Sequence, residues 1–171
     1  MRTLLVLEDE PSVLNLLRHM LKQYSLIEAT TAEEALLLFI DHDHQVDLLI
    51  ADLTLPQLSG IQVALLLRSE NPDLPVILTS GYPVSAWSDR DCADLGRLGS
   101  KSVAILEKPF RYQLVSDAVC ELIGAPQAEK GENCMTDERS QISPSSILRS
   151  LKEPPSRTDV HPELGLDSAT F

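Results

Sequence analysis

Val46-Asp47-Leu48-Leu49-Ile50-Ala51-Asp52-Leu53-Thr54-Leu55-Pro56 is the stretch on which the fold turns. Leu48 to Ala51 is apolar without alternation. A strand with one wet face alternates, whereas a continuous apolar run reads as a strand covered on both faces, as in parallel sheets flanked by helices. Asp52 stands where the run ends. Pro56 and Gly60 then break the chain before the next helical pattern. A lone acid at a strand end is commonly a solvated cap, so the ends of the other strands decide whether Asp52 is more than that.

Upstream, Thr3 to Leu7 reads as a strand running into Glu8-Asp9-Glu10. Pro11 and Ser12 follow, then Val13, Leu14, Leu16, Leu17, Met20 and Leu21 at helical spacing. Ser25 to Ala29 is a short second strand. Thr31-Ala32-Glu33-Glu34 matches a capping box and starts a helix through about Asp41. Downstream, a helix is expected from about Ser59 to Ser69. Val76 to Thr79 is a fourth strand ending at Ser80-Gly81. A helix is also expected within residues 84–98, where Asp89, Asp91 and several small residues weaken the pattern. Val103 to Leu106 is a fifth strand that ends at Glu107-Lys108-Pro109. The last helix runs from Phe110 to Ile123, with Leu114, Val115, Ala118, Val119 and Leu122 inward, and Gly124 and Pro126 stop it.

Five strands alternating with five helices give an α/β fold with a doubly wound parallel sheet. In such sheets the site lies outside the carboxyl ends of the strands, where the winding reverses. Glu8, Asp9, Asp52, Ser80 and Lys108 occupy those ends and are expected at one rim. Crowded carboxylates repel, and a cation among them favours the ionised form. Oxygen-only ligation suits Mg²⁺. No His or Cys belongs to the set, which argues against zinc, and the His42-Asp43-His44 pair has no further ligands beside it. A carboxylate can attack phosphorus. Phosphoryl transfer needs positioning and charge neutralisation more than acid–base help. Mg²⁺ and Lys108 would supply the charge, and Ser80 a hydrogen bond to a phosphoryl oxygen.

Leu7-Glu8-Asp9-Glu10, Asp52-Leu53-Thr54-Leu55-Pro56 with Gly60, Pro75-Val76-Ile77-Leu78-Thr79-Ser80-Gly81 and Lys108-Pro109-Phe110 together resemble the receiver domain of two-component response regulators. The Ser80-Gly81-Tyr82 ending is similar to receivers attached to hybrid histidine kinases. The resemblance covers residues 3–123 and implies the flavodoxin-like strand order 2-1-3-4-5. It implies Asp52 as phosphoacceptor, Asp9 as a direct Mg²⁺ ligand, and Glu8 as a ligand through water. The backbone carbonyl of Thr54 would be a further ligand. Ser80 would be the hydroxyl that moves toward the phosphoryl group, Lys108 the ion-pair partner, and the Lys108–Pro109 bond cis. It also implies a histidine kinase or phosphotransfer protein as phosphoryl donor and an unknown protein as target. Where the family usually carries a rotating Tyr or Phe, this chain has Ile105, and the segment from Pro83 to Ser102 runs slightly long.

Composition bounds the reading. The chain has 171 residues, 43% hydrophobic but only 4% aromatic, so the core must be aliphatic. A formal net charge of −12 argues against nucleic-acid binding and against anchoring on anionic lipid. No apolar run reaches membrane-spanning length, and no signal-peptide pattern opens the chain. Cys92, Cys120 and Cys134 form no C-x-x-C pair, which suits a reduced, cytoplasmic chain.

The expected domains are a receiver over 1–124 and a largely disordered, Pro-, Ser- and acid-rich tail over 125–171. That tail has eight Leu, Ile, Val or Phe among its 47 residues and five of the eleven prolines, too few apolar groups for a core. Ser143 and Pro144 could open a short helix over 144–152, held only against a partner. The first strand begins at residue 3, so a single-domain regulator without a kinase or DNA-binding module is expected. Two other readings compete: a receiver-like binding module that works without phosphate, and an Asp-nucleophile phosphohydrolase. The complete acid–Asp–Ser–Lys set favours a switch over the binding module, since a retired site would be free to lose members. The hydrolase needs a second Asp at the position that Thr54 occupies, so a turnover enzyme is not expected.

Overall fold

The computed structural model describes residues 1–125. The expected tail and its 144–152 helix lie outside the described residues. Strands and helices alternate as β1 (Thr3–Leu7), α1 (Pro11–Met20), β2 (Ser25–Ala29), α2 (Ala32–Asp41), β3 (Leu48–Asp52) and α3 (Gly60–Glu70). They continue as β4 (Val76–Ser80), α4 (Asp89–Leu98), β5 (Val103–Glu107) and α5 (Tyr112–Ile123), with a single 3₁₀ turn at Val84–Ala86. The sheet order is β2-β1-β3-β4-β5, parallel throughout. The winding therefore reverses between β1 and β3, which places a crevice outside their carboxyl ends.

Successive strand side chains point to opposite faces. On one face, Leu4, Val6, Leu48, Ile50 and Ile77 pack with Leu14 and Leu17 of α1 and Val115 and Val119 of α5. On the other, Leu5, Leu7, Leu49, Ala51 and Leu78 pack with Phe39 of α2, Ile61 and Leu67 of α3, and Leu98 of α4. Both faces are covered, so β3 and β4 are buried at every position. That is the cause of the unbroken apolar run at 48–51. Each fully buried leucine contributes roughly 1.5–3 kcal/mol through removal from water.

Local signals set the helix ends. Ser59 and Gln62 form a reciprocal capping box at α3. At α2 the box is only half made: Thr31 accepts from the Glu34 N–H, while the Glu34 carboxylate reaches one residue further back, to the N–H and hydroxyl of Thr30. The helix expected within 84–98 begins late because Ser88 caps it. Asp89 and Asp91 then lie in its first turn, where negative charge meets the positive end of the helix dipole. They mark the start of α4 and do not weaken it. Two expectations for the last helix are corrected. It begins at Tyr112, with Phe110 buried just ahead of it, and Leu114 is exposed, because the stripe facing the sheet is Val115, Ala118, Val119 and Ile123. Leu122 is half-buried against that stripe.

Candidate functional site

The strand ends bring together most of the residues read from the sequence. Glu8 follows β1 and is 1% exposed, its N–H donating to Ala29 O of β2. Asp9, one residue on, is exposed. Asp52 closes β3 and is 6% exposed. Carboxylate oxygens of Glu8, Asp9 and Asp52 lie within 4.8 Å of one another. Lys108 follows β5, and its N–H donates to Ser80 O at 2.7 Å, which fixes the lysine backbone to the end of β4. The Lys108–Pro109 bond is cis.

Lys108 Nζ donates to both Glu8 oxygens, at 2.7 and 3.0 Å, and lies 3.1 Å from Asp52 Oδ2. Burial is the largest influence on Glu8 and pushes its carboxyl above the usual carboxylate range, against the opposing pull of the Lys108 hydrogen bond and charge. For Lys108 burial works downward, but the Glu8 hydrogen bond and charge, with Asp52, outweigh it and hold the ammonium above its ordinary value. Three carboxylates facing one ammonium leave a formal charge of −2. Asp52 Oδ1 is buried and has no hydrogen-bond partner, and a buried acceptor without a partner is costly. An oxygen-only cluster with one orphaned carboxylate oxygen and one exposed carboxylate fits a hard divalent cation such as Mg²⁺.

Ser80 is fully buried at the end of β4. Its hydroxyl donates to Tyr82 O at 2.8 Å and accepts from the Tyr82 N–H at 3.1 Å. It is folded onto its own loop and makes no hydrogen bond to Asp52 or Lys108. Thr54 is exposed in the loop after β3. His42 and His44 stand apart: His42 Nδ1 contacts Leu38 O, and the His44 ring packs edge-on to Phe39.

Gly60 has a role that the sequence did not disclose. Although it looks like a chain breaker, it is the first residue of α3. A Cβ there would lie 2.9 Å from the Asp52 carbonyl carbon, 3.0 Å from Ala51 Cβ, and well inside contact distance of Asp52 O. The helix can approach the backbone of Asp52 only because this position has no side chain.

The response regulator receiver domain family model matches residues 4–119. The chain is 34% identical over 111 residues to response regulator GtcR of Aneurinibacillus migulanus, covering 64% of this chain and 42% of that protein. It is 28% identical over 123 residues to sensor kinase CckA of Brucella abortus, covering 71% of this chain and 12% of that protein. It thus spans less than half the length of either relative. The solved structure of response regulator TrrA from Thermotoga maritima, in complex with Mg²⁺-BeF, is similar with a TM-score of 0.59 at 29% identity, covering 71% of this chain and 99% of that one. Among the described residues no helix is long and apolar enough to cross a membrane. With its family-model match, the five-stranded order 2-1-3-4-5 and the acidic rim at the strand ends, the chain belongs to the response regulator receiver domain family.

Proposed function

We propose that this chain is a cytoplasmic phosphorylatable switch of a two-component or phosphorelay system. A histidine kinase or phosphotransfer protein donates a phosphoryl group to Asp52 with Mg²⁺ present. The signal passes on through contact with a downstream protein, without turnover of a substrate and without direct contact with nucleic acid or membrane. The observation that carries this reading is Asp52 itself: one oxygen is held by Lys108 and the other is buried without a partner. A lone pair is thus available without breaking a hydrogen bond.

In the transfer, an Asp52 oxygen forms a bond to phosphorus while the bond from phosphorus to the donor nitrogen breaks, its electron pair staying on that nitrogen. Asp9, Asp52 and the Thr54 carbonyl would hold Mg²⁺ directly and Glu8 through water. The metal would supply charge neutralisation between the carboxylates and the phosphoryl oxygens. Lys108, already tied to Asp52, would follow the phosphoryl oxygens as a second cation. Ser80 would turn its hydroxyl from Tyr82 O to one of them. TrrA, solved with Mg²⁺-BeF, offers support by likeness. The test is incubation with acetyl phosphate and Mg²⁺ followed by separation of phosphorylated from free protein. One phosphorylated species that disappears in EDTA is expected, and absence of any such species refutes the reading.

A further inference from the structure

The carbonyl of Tyr82 accepts two hydrogen bonds. One comes from the Ser80 hydroxyl at 2.8 Å and the other from the indole N–H of Trp87 at 3.2 Å. Trp87 is the only tryptophan of the chain and is 9% exposed. Its ring belongs to the core on the α2–α4 face, where Ile105 of β5 and Leu95 of α4 pack against the same cluster. Its backbone closes the 3₁₀ turn, with the Trp87 N–H donating to Val84 O at 3.1 Å. The next residue, Ser88, is the cap of α4. One carbonyl therefore links the β4 hydroxyl to the residue that precedes the helix.

A serine hydroxyl has one proton to donate. It cannot serve both the Tyr82 carbonyl and a phosphoryl oxygen on Asp52. We propose that Trp87 is a positioning residue for the Ser80 switch: its indole N–H keeps the Tyr82 carbonyl hydrogen-bonded when the Ser80 hydroxyl leaves, and its ring carries the resulting loop shift to the start of α4. This rests on the reading of Asp52 as phosphoacceptor. Without the indole N–H, withdrawal of the Ser80 proton would leave the carbonyl with no protein donor, a cost charged to the phosphorylated state alone. In the resting state Ser80 still satisfies that carbonyl, so the loss of the indole N–H is felt chiefly on switching.

The ring is its own reporter. The full chain is titrated with Mg²⁺ and then with beryllofluoride, a phosphoryl mimic, while Trp87 emission is read. Binding is followed separately by calorimetry and fluorine NMR. Beryllofluoride is expected to change the Trp87 emission beyond any effect of Mg²⁺ alone. Ser80→Ala should suppress that change even at beryllofluoride concentrations raised until calorimetry and fluorine NMR show the site filled, and Ser80→Thr, which keeps the hydroxyl, should restore it. Trp87→Phe, checked for an intact melting transition, should weaken beryllofluoride binding by about three- to tenfold, as expected for a carbonyl stripped of its donor. An unchanged emission on confirmed beryllofluoride binding, or an emission change that persists in Ser80→Ala, would overturn the role of Trp87 and leave Asp52 as acceptor untouched. Failure of the wild type to bind beryllofluoride would instead remove the phosphoacceptor reading on which it rests.

Discussion

Lys108 donates both of its short hydrogen bonds to Glu8, a residue one hundred positions earlier in the chain. The pair bridges the ends of β1 and β5 across the ends of β3 and β4, with Asp52 Oδ2 3.1 Å from the lysine. Lys108 therefore does two things. It closes the rim of the sheet, and it offsets part of the negative charge gathered there.

Removing the lysine should separate those roles. Lys108→Ala leaves Glu8, 1% exposed, with a buried and uncompensated carboxylate. A loss of about 3 kcal/mol of stability is expected in EDTA, typical of a buried pair deprived of one partner. Mg²⁺ should restore part of it by supplying charge at the same place. Urea denaturation with EDTA and with Mg²⁺ checks both points; an equal loss in the two buffers would contradict a shared site. The sign of the pH dependence follows from the raised ammonium. Its contribution is intact below the ordinary lysine value of 10.5 and is lost as pH rises through the higher folded value. Alkaline titration of wild type should therefore lose stability there, and Lys108→Ala should lack that step.

The two acids after β1 should differ in metal binding. Asp9 is exposed, whereas both oxygens of Glu8 are engaged by Lys108. Glu8→Gln is expected to weaken Mg²⁺ about tenfold, in the range for groups acting behind a ligand. Asp9→Asn should weaken it more. Calorimetric titration reads both, and a larger loss from Glu8→Gln would reverse the assignment.

Gly60→Ala should be costly at this buried first position of α3. The added methyl meets the backbone of Asp52, with its carbonyl carbon at 2.9 Å and Ala51 Cβ at 3.0 Å. Backbone cannot swing aside as a flexible side chain would. A loss of about 1–3 kcal/mol is expected from overpacking, together with slower phosphorylation because the displaced atoms belong to Asp52, the proposed acceptor. Denaturation and acetyl phosphate kinetics measure the two; a neutral result in both would show that α3 can retreat without disturbing Asp52.

Arg68 should hold the far end of the α4 region. Its guanidinium donates to four backbone carbonyls, those of Leu74, Leu98, Lys101 and Ser102. Ser102 has a positive φ of 57° and Gly99 one of 76°, so the segment is held in conformations that side chains disfavour. Arg68→Lys should fail to replace it, because an ammonium cannot present the planar fork of five donors. Faster amide exchange across 98–103 in both Arg68→Ala and Arg68→Lys is expected, and protection restored by lysine would contradict this role.

What was legible in the sequence was what repeats or punctuates. Covered strands leave unbroken apolar runs, so Leu48–Ala51 and Val76–Thr79 revealed the parallel sheet. Polar residues that interrupt those runs revealed the rim, because they have nowhere else to stand in a doubly wound fold. Contacts made by backbone left no such trace. The Tyr82 carbonyl that holds Ser80, the four carbonyls on Arg68 and the Asp52 backbone against Gly60 carry no side-chain signature. Spacing alone makes the acids at 89 and 91 read as disruptive, because their favourable position in a first turn depends on Ser88 acting as the cap. Leu114 looked inward from its spacing, yet the face of α5 was set by Val115 and Ala118 meeting the sheet.

The most direct test is to locate the phosphoryl group. Full-length protein is incubated with acetyl phosphate and Mg²⁺, reduced with borohydride, which converts an aspartyl phosphate to homoserine, and mapped by peptide mass spectrometry. The expected result is homoserine at position 52 alone, absent when EDTA replaces Mg²⁺ and absent in Asp52→Asn. Modification elsewhere in the wild type, or equal phosphorylation of Asp52→Asn, would contradict the assignment of Asp52 as the phosphoacceptor.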